Sequence, residues 1–267
     1  MKRLKLHLRD LHQVFDRGVF VRHLAEPFVS FDAQRHDAPN VRAFMEARDF
    51  DIVGVRRNGA VVGHVCRADL RDGALEQYVR PFHEQLLLED LSPMLKVLEL
   101  LAKFPQVFVI VRGEVAGIIT KGDLQKVPVR MWLFGVLSLL EMQFLRLIRA
   151  AYPRDSWKGL ITEKRFAKAE ELLQDRQKRN EAIDVADCLQ FADKRDIVLN
   201  IDSLWHELRF PSRSEGKEFL KELEHLRNDL AHAQDIITGR WPRLVEFAQR
   251  AEELLAACEN WKPKAAG

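Results

Sequence analysis

At 267 residues the chain fits one large or two ordinary domains, and a hydrophobic content of 47% excludes a disordered polymer. A net charge of +2 is too small to mark the whole surface for nucleic acid, so any such patch must be local. Three cysteines, Cys66, Cys188 and Cys258, are too few and too scattered for a disulfide framework or a zinc site, which predicts a reducing compartment.

Residues 1–13 alternate charge and leucine without a continuous apolar core, which predicts no signal peptide. The next hundred residues say nearly the same thing twice. Residues 26–70 lie over residues 80–124 without a gap, at the spacing of 54 positions that separates Asp69 from Asp123. Pro27, Phe28, Pro39 and Phe50 fall on Pro81, Phe82, Pro93 and Phe104. Gly59, Gly63 and Leu70 fall on Gly113, Gly117 and Leu124. Such a repeat predicts duplicated units that bury a face against each other.

Within each copy a helical segment, Val41–Arg48 or Leu95–Lys103, precedes two β-branched runs. The runs Asp51–Arg56 and Ala60–Val65 flank Asn58-Gly59, and Val107–Val111 and Glu114–Ile119 flank Arg112-Gly113, the pattern of a hairpin. A short charged segment follows each. The expected unit is strand–helix–strand–strand–helix, with repeats over about residues 20–72 and 77–126 of a module spanning 1–127.

From 128 to 267 glycine and β-branched residues thin out and leucine-rich helical patterns take over, which predicts an all-α bundle and an α+β chain overall. Helices are expected over 131–151, 162–179, 185–199, 215–237 and 243–260, with Ser214 as one cap. Breakers stand at Pro153, Asp184, Pro211–Ser214 and Gly239–Pro242. The apolar run Met131–Leu140 is shorter than the roughly 20 residues a bilayer requires, so a buried helix, no membrane and a cytoplasmic location are expected.

Gly117-Ile-Ile-Thr-Lys-Gly-Asp123, following Val107–Val111, resembles the signature of CBS domains, whose tandem pairs bind adenine nucleotides. The resemblance implies a regulatory ligand, AMP, ADP or ATP, with Thr120 on phosphate, Asp123 on the ribose hydroxyls and Gly117 supporting them. A carboxylate suits a vicinal diol, and a hydroxyl beside backbone N–H groups suits phosphate. Leu87, Val107 and Val109 are the expected adenine slot. The first copy keeps Gly63 and Asp69 but carries Cys66 in place of threonine, a poor phosphate donor, with His64 and Arg67 as candidate compensating charges.

Phe219, Leu223, Leu226 and Leu230 form a core-facing stripe late in the helical half. Arg227, Asn228 and His232 lie off it, with Asn228 and His232 sharing a face. Arg-Asn-x-x-x-His in this setting resembles the HEPN domain, a helical bundle that dimerises through the motif and in many members cleaves RNA without a metal. The resemblance implies Arg227 and His232 as the catalytic pair, Asn228 as the residue orienting His232, a homodimer and an RNA substrate. Histidine supplies a base near neutral pH and arginine holds phosphate bidentately. His206 and the basic run Lys164, Arg165, Lys168, Arg176, Lys178 and Arg179 are secondary candidates for RNA contact. The expected function is a nucleotide-sensing regulator with a metal-independent endoribonuclease at a dimer interface. The alternative is a non-catalytic nucleotide-sensing protein that dimerises or docks a partner.

Overall fold

The computed structural model describes residues 13, 14, 17–237 and 241–263, without the side chains of His206 and Pro242. The signal-peptide expectation for residues 1–12, the break at Gly239 and the role of the His206 side chain lie outside the described residues. Two compact units divide the chain, one ending at Val129 and one running from Arg130.

In the first unit, β1 (Glu26–Pro27) and β2 (Ser30–Asp32) precede α1 (Ala38–Arg48) and the hairpin of β3 (Ile52–Arg57) and β4 (Ala60–Cys66). The second copy supplies β5 (Leu87–Glu89), α2 (Met94–Lys103), β6 (Gln106–Val111) and β7 (Glu114–Thr120). Both hairpins turn on two residues of positive φ, Asn58 and Gly59 at 52° and 87°, Arg112 and Gly113 at 54° and 83°. That backbone matches the twist of the paired strands. Each hairpin also carries an irregularity at the same place, between Val55 and Arg56 and between Val109 and Ile110.

The gapless overlay slips at one element. Ser30 pairs with Gly54, whereas Leu87 pairs with Phe108, three residues later than the 54-residue spacing predicts. A 3-10 turn over Glu84–Leu86 precedes β5 and takes up the shift. The helix expected to close each unit is a 3-10 helix over Lys121–Gln125 in the second copy and only a turn over 67–69 in the first, where the 3-10 helix Leu75–Tyr78 follows beyond the repeat.

The segments that lead into the copies cross over. β1 precedes the first copy but pairs with β7 of the second, Glu26 opposite Ile118 and Pro27 opposite Gly117. One period on, Arg80 precedes the second copy and bridges His64 on β4, with hydrogen bonds of 2.9 and 2.8 Å in the two directions. The repeated glycines permit this approach. A Cβ at Gly63 would lie 2.4 Å from the Arg80 carbonyl oxygen, and one at Gly117 would lie 2.9 Å from the Ala25 Cβ. Phe28, Phe82 and Phe108 fill the seam, with Phe82 and Phe108 4.7 Å apart edge to face. The second copy thus borrows strand β1 from the first copy's lead-in, whereas the first copy takes only the single bridge at Arg80 from the second's.

The second unit is helical: α3 (Val127–Ala151, which begins in the last residues of the first unit), α4 (Glu163–Gln177), α5 (Phe191–Val198), α6 (Asp202–Leu208), α7 (Arg213–Ala231) and α8 (Trp241–Asn260). Phe219, Leu223, Leu226 and Leu230 are buried, as their spacing predicts. Several boundaries differ from expectation. α3 runs 25 residues, long and apolar enough by length and composition to cross a membrane, with 61% of its apolar window buried in the protein. Its polar residues do not end it because each has a partner: Glu141 pairs with Lys194, and Arg146 bonds Gln143 and the Cys258 carbonyl. The expected helix over 185–199 is broken, because Gln190 takes an extended conformation and starts α5 through a reciprocal bond with Asp193. Ser212 rather than Ser214 caps α7, its Oγ accepting from the Glu215 N–H at 3.2 Å. The helix expected to reach residue 237 ends at Ala231, which leaves His232 as its C-cap.

Candidate functional site

Strand β7 ends at Thr120 and the chain turns at once into the 3-10 helix that carries Asp123. The Asp123 carboxylate closes that turn. Its Oδ2 accepts from the Thr120 N–H at 2.7 Å and from the Thr120 hydroxyl at 3.0 Å. Its Oδ1 meets Lys126 Nζ at 2.8 Å. Lys126 also donates to the Leu24 carbonyl at 2.7 Å and pairs with Glu26, so the lead-in strand of the first copy is tied to the turn of the second. Burial opposes the Lys126 charge, but its bonds to Asp123 and Glu26 outweigh that and raise its pKa.

Thr120, Lys121, Gly122 and Asp123 line one end of a cleft of about 1450 Å³. The other end is lined by the corresponding turn of the first copy, Cys66, Arg67 and Ala68, with Arg42, Asp49 and Asp51 beside it. The crossover of the two lead-in segments brings both turns to one opening. Phe28, Phe50, Ile52, Pro105 and Ile118 supply its apolar wall.

The expected adenine slot is displaced. Val107 and Val109 are fully buried, and Leu87 packs into the aromatic seam, so none of the three lines the cleft. They sit inside the unit because strand alternation turns them toward the core. Gly117 likewise does not line the cleft; it makes room for β1. Asp69 is held by Arg80 at 2.5 Å and is absent from the cleft lining.

The compensating charges expected in the first copy are not available there. His64 is buried between Phe82 and Phe108, ring centroids 5.7 and 5.0 Å away, and its Nδ1 has no partner. Burial first, then the charges of Arg80 and His83, lower its pKa. Arg67 does face the cleft, but Asp49 and Asp51 hold it at 3.1 and 2.6 Å. Burial pushes the Cys66 thiol up, which keeps it protonated. Arg80 and Lys126 belong to no motif in the sequence. The repeat held a signal for them, since Arg80 falls on Glu26 and Lys126 on Asp72, charge reversals at aligned positions.

In the helical unit, the Arg227 guanidinium donates to Asn228 Oδ1 at 3.1 Å and lies 3.5 Å from Glu141, which also binds the buried Lys194 at 2.8 Å. Next to this, Arg195 binds Glu224 at 2.8 Å. His232 is exposed, and its N–H donates to the Asn228 carbonyl at 3.0 Å. The Asn228 side chain therefore steadies Arg227 instead of His232, because the helix ends before His232. Arg130 closes that helix end on the carbonyls of Asp229, Leu230 and Gln234. Within the expected basic run, Arg165 pairs with Asp193, Arg176 with Glu181 and Lys178 with Asp175.

No family model matches the chain, and no curated protein matches its sequence. Solved structures similar to it are CBS-domain proteins matched over its N-terminal part. A CBS-domain containing protein from Agrobacterium tumefaciens is 18% identical, at a TM-score of 0.33 over 40% of this chain and 90% of that one. The CBS domain of a bacterial CNNM/CorC family Mg2+ transporter in complex with ATP is 16% identical, at 0.36 over 46% and 94%. A CBS domain pair in complex with 5-methylthioadenosine and S-adenosyl-L-methionine is 14% identical, at 0.34 over 39% and 95%.

Proposed function

We propose that the duplicated unit is a tandem CBS module that binds an adenine nucleotide and thereby regulates the helical unit. The observation that carries this reading is the single cleft onto which both strand-to-turn junctions open, with Thr120, Gly122 and Asp123 at one end. The N–H groups of the turn receive phosphate, joined by the Thr120 hydroxyl once its proton swings away from Asp123 Oδ2, and the Asp123 carboxylate receives the ribose. Oδ1, which meets Lys126, keeps a lone pair beyond that partner, whereas Oδ2 is filled by the Thr120 N–H and hydroxyl until the hydroxyl turns away. The base lies against Phe28, Ile52 or Ile118 in place of the buried valines.

Binding regulates only through different affinities for two arrangements of the protein. Thermal unfolding with AMP, ADP and ATP tests the reading, since a ligand of the native state raises Tm by mass action. The rise is expected in the wild type and is lost in Asp123→Asn. No rise with any of the three overturns it.

For the helical unit, the same proposal is a HEPN-type dimer that cleaves RNA without a metal. His232 takes the ribose 2′-hydroxyl proton, the freed oxygen attacks phosphorus, and the bond to the 5′-oxygen breaks, the leaving oxygen taking a proton from water. The products are a 2′,3′-cyclic phosphate and a 5′-hydroxyl. Arg227, steadied by Asn228, stabilises the charge that develops on phosphate. The contact of Arg227 with Glu141 favours the second reading, a non-catalytic dimerisation or docking module, because that guanidinium already has an anion. Incubation with total RNA in EDTA separates the two. Cleavage abolished by His232→Ala supports the enzyme, and intact RNA with and without nucleotide supports the docking module.

A further inference from the structure

We propose that an internal clamp, Asp49–Arg67–Asp51, closes the first copy's end of the cleft to phosphate, so that the duplicated unit takes one nucleotide where its two copies suggest two. The proposal rests on the nucleotide reading above. An arginine fork is well shaped to grip a phosphate from two sides. Here both sides are taken. Nη1 of Arg67 lies 3.1 Å from Asp49 and Nη2 lies 2.6 Å from Asp51. The Arg67 N–H also donates to the Asp51 carbonyl at 2.8 Å, so the backbone holds the two residues in register.

The neighbouring cations are matched in the same way. Arg42 is held by Glu46 at 2.8 Å and Arg80 by Asp69 at 2.5 Å. Every arginine lining this end of the cleft therefore carries a carboxylate, and Cys66 stands where the second copy has Thr120. One period on, the residues aligned with Asp49, Asp51 and Arg67 are Lys103, Pro105 and Lys121. The second copy has no carboxylate in either clamp position.

Exposed ion pairs are individually weak, and Asp49 and Asp51 are 93% and 82% exposed. The clamp works through proximity. Two carboxylates fixed beside the guanidinium act at an effective concentration on the order of millimolar or more, far above a nucleotide at micromolar levels.

Titration calorimetry of the full chain with ADP tests this. The wild type is expected to bind one equivalent. Asp49→Asn with Asp51→Ala is expected to bind two, and adding Arg67→Ala is expected to return the count to one. Asparagine tolerates the left-handed backbone of residue 49, whose φ is 52°. Asp51→Ala alone, which leaves Asp49, the C-cap of α1, untouched, is expected to show the second event at lower affinity. Equal counts in the wild type and both clamp variants overturn the clamp, whatever that count is, and so does a second event that survives Arg67→Ala. A wild type that binds no ADP instead overturns the ADP-binding reading, and the clamp is still judged by the difference between wild type and variants.

Discussion

The two copies of the first unit share a backbone and differ in what they do with charge. Their hairpins turn and bulge at the same aligned residues. In the second copy a cation after the turn, Lys126, holds the aspartate, and Thr120 stays at the cleft. In the first copy the cation comes from the crossing segment, Arg80, and the arginines at the cleft are neutralised from within. The copies thus keep their hairpin geometry in common and differ in how their charges are paired.

The comparison breaks most readily at the seam. Phe108 is fully buried against Phe28 and Phe82, while its aligned partner, Gly54, leaves room for Phe28. Phe108→Ala is expected to lower the unfolding free energy by about 3–5 kcal/mol in urea titration, a larger loss than substitution of either crossover glycine, Lys126 or His64 brings. An equal loss on filling Gly54 with alanine would show that the seam tolerates no asymmetry.

The crossover glycines come next. Gly63→Ala drives a methyl onto the Arg80 carbonyl, which is backbone and cannot swing aside, and is expected to cost about 3 kcal/mol. Gly117→Ala meets the Ala25 methyl and is expected to cost about 1–2 kcal/mol. Chemical denaturation of the two variants side by side checks the order, and the reverse order refutes the account of which crossing is tighter.

Lys126→Met removes the cation that ties Asp123 to the Leu24 carbonyl and Glu26 and is expected to cost about 1 kcal/mol. The same change is expected to weaken the nucleotide-dependent rise in Tm, because Asp123 loses its support. A change in stability with the nucleotide response intact would separate the scaffold from the site.

The smallest effect is a pH dependence confined to the first copy. His64 has a lowered pKa in the folded state, so the unfolded chain binds its proton more readily. Its contribution is fully present above the unfolded value of about 6.5 and is lost as pH falls toward the folded value. His64→Ile, the residue aligned at position 118, is expected to flatten the stability profile below about pH 6.5. Thermal melts between pH 5 and 8 on the order of half a unit apart would reveal an unchanged slope, which assigns it elsewhere.

Much of the fold was legible along the chain. Hairpins announced by Asn58-Gly59 and Arg112-Gly113 form where expected, and the leucine stripe of α7 is buried, because turn chemistry and helical periodicity are local properties. The site was legible in part. Thr120 and Asp123 reach the cleft, but Val107 and Val109 do not, since the face that an alternating strand turns inward depends on what covers it. The ends of the helices were read least well. Ser212 caps α7 with its hydroxyl and His232 closes it with its backbone N–H, two choices made by single bonds that span three or four residues.

By itself, the amino-acid order determined that the chain contains a duplicated β/α part followed by a helical part, and which residues repeat. Only the tertiary structure decided that each copy takes its outermost pairing from the other's lead-in, that Arg67 spends its fork on Asp49 and Asp51, and that Asn228 serves Arg227. The reason is physical. Periodicity and turn preference act between neighbours in sequence, whereas strand crossing and ion pairing are settled between groups far apart along the chain once the copies have closed on each other.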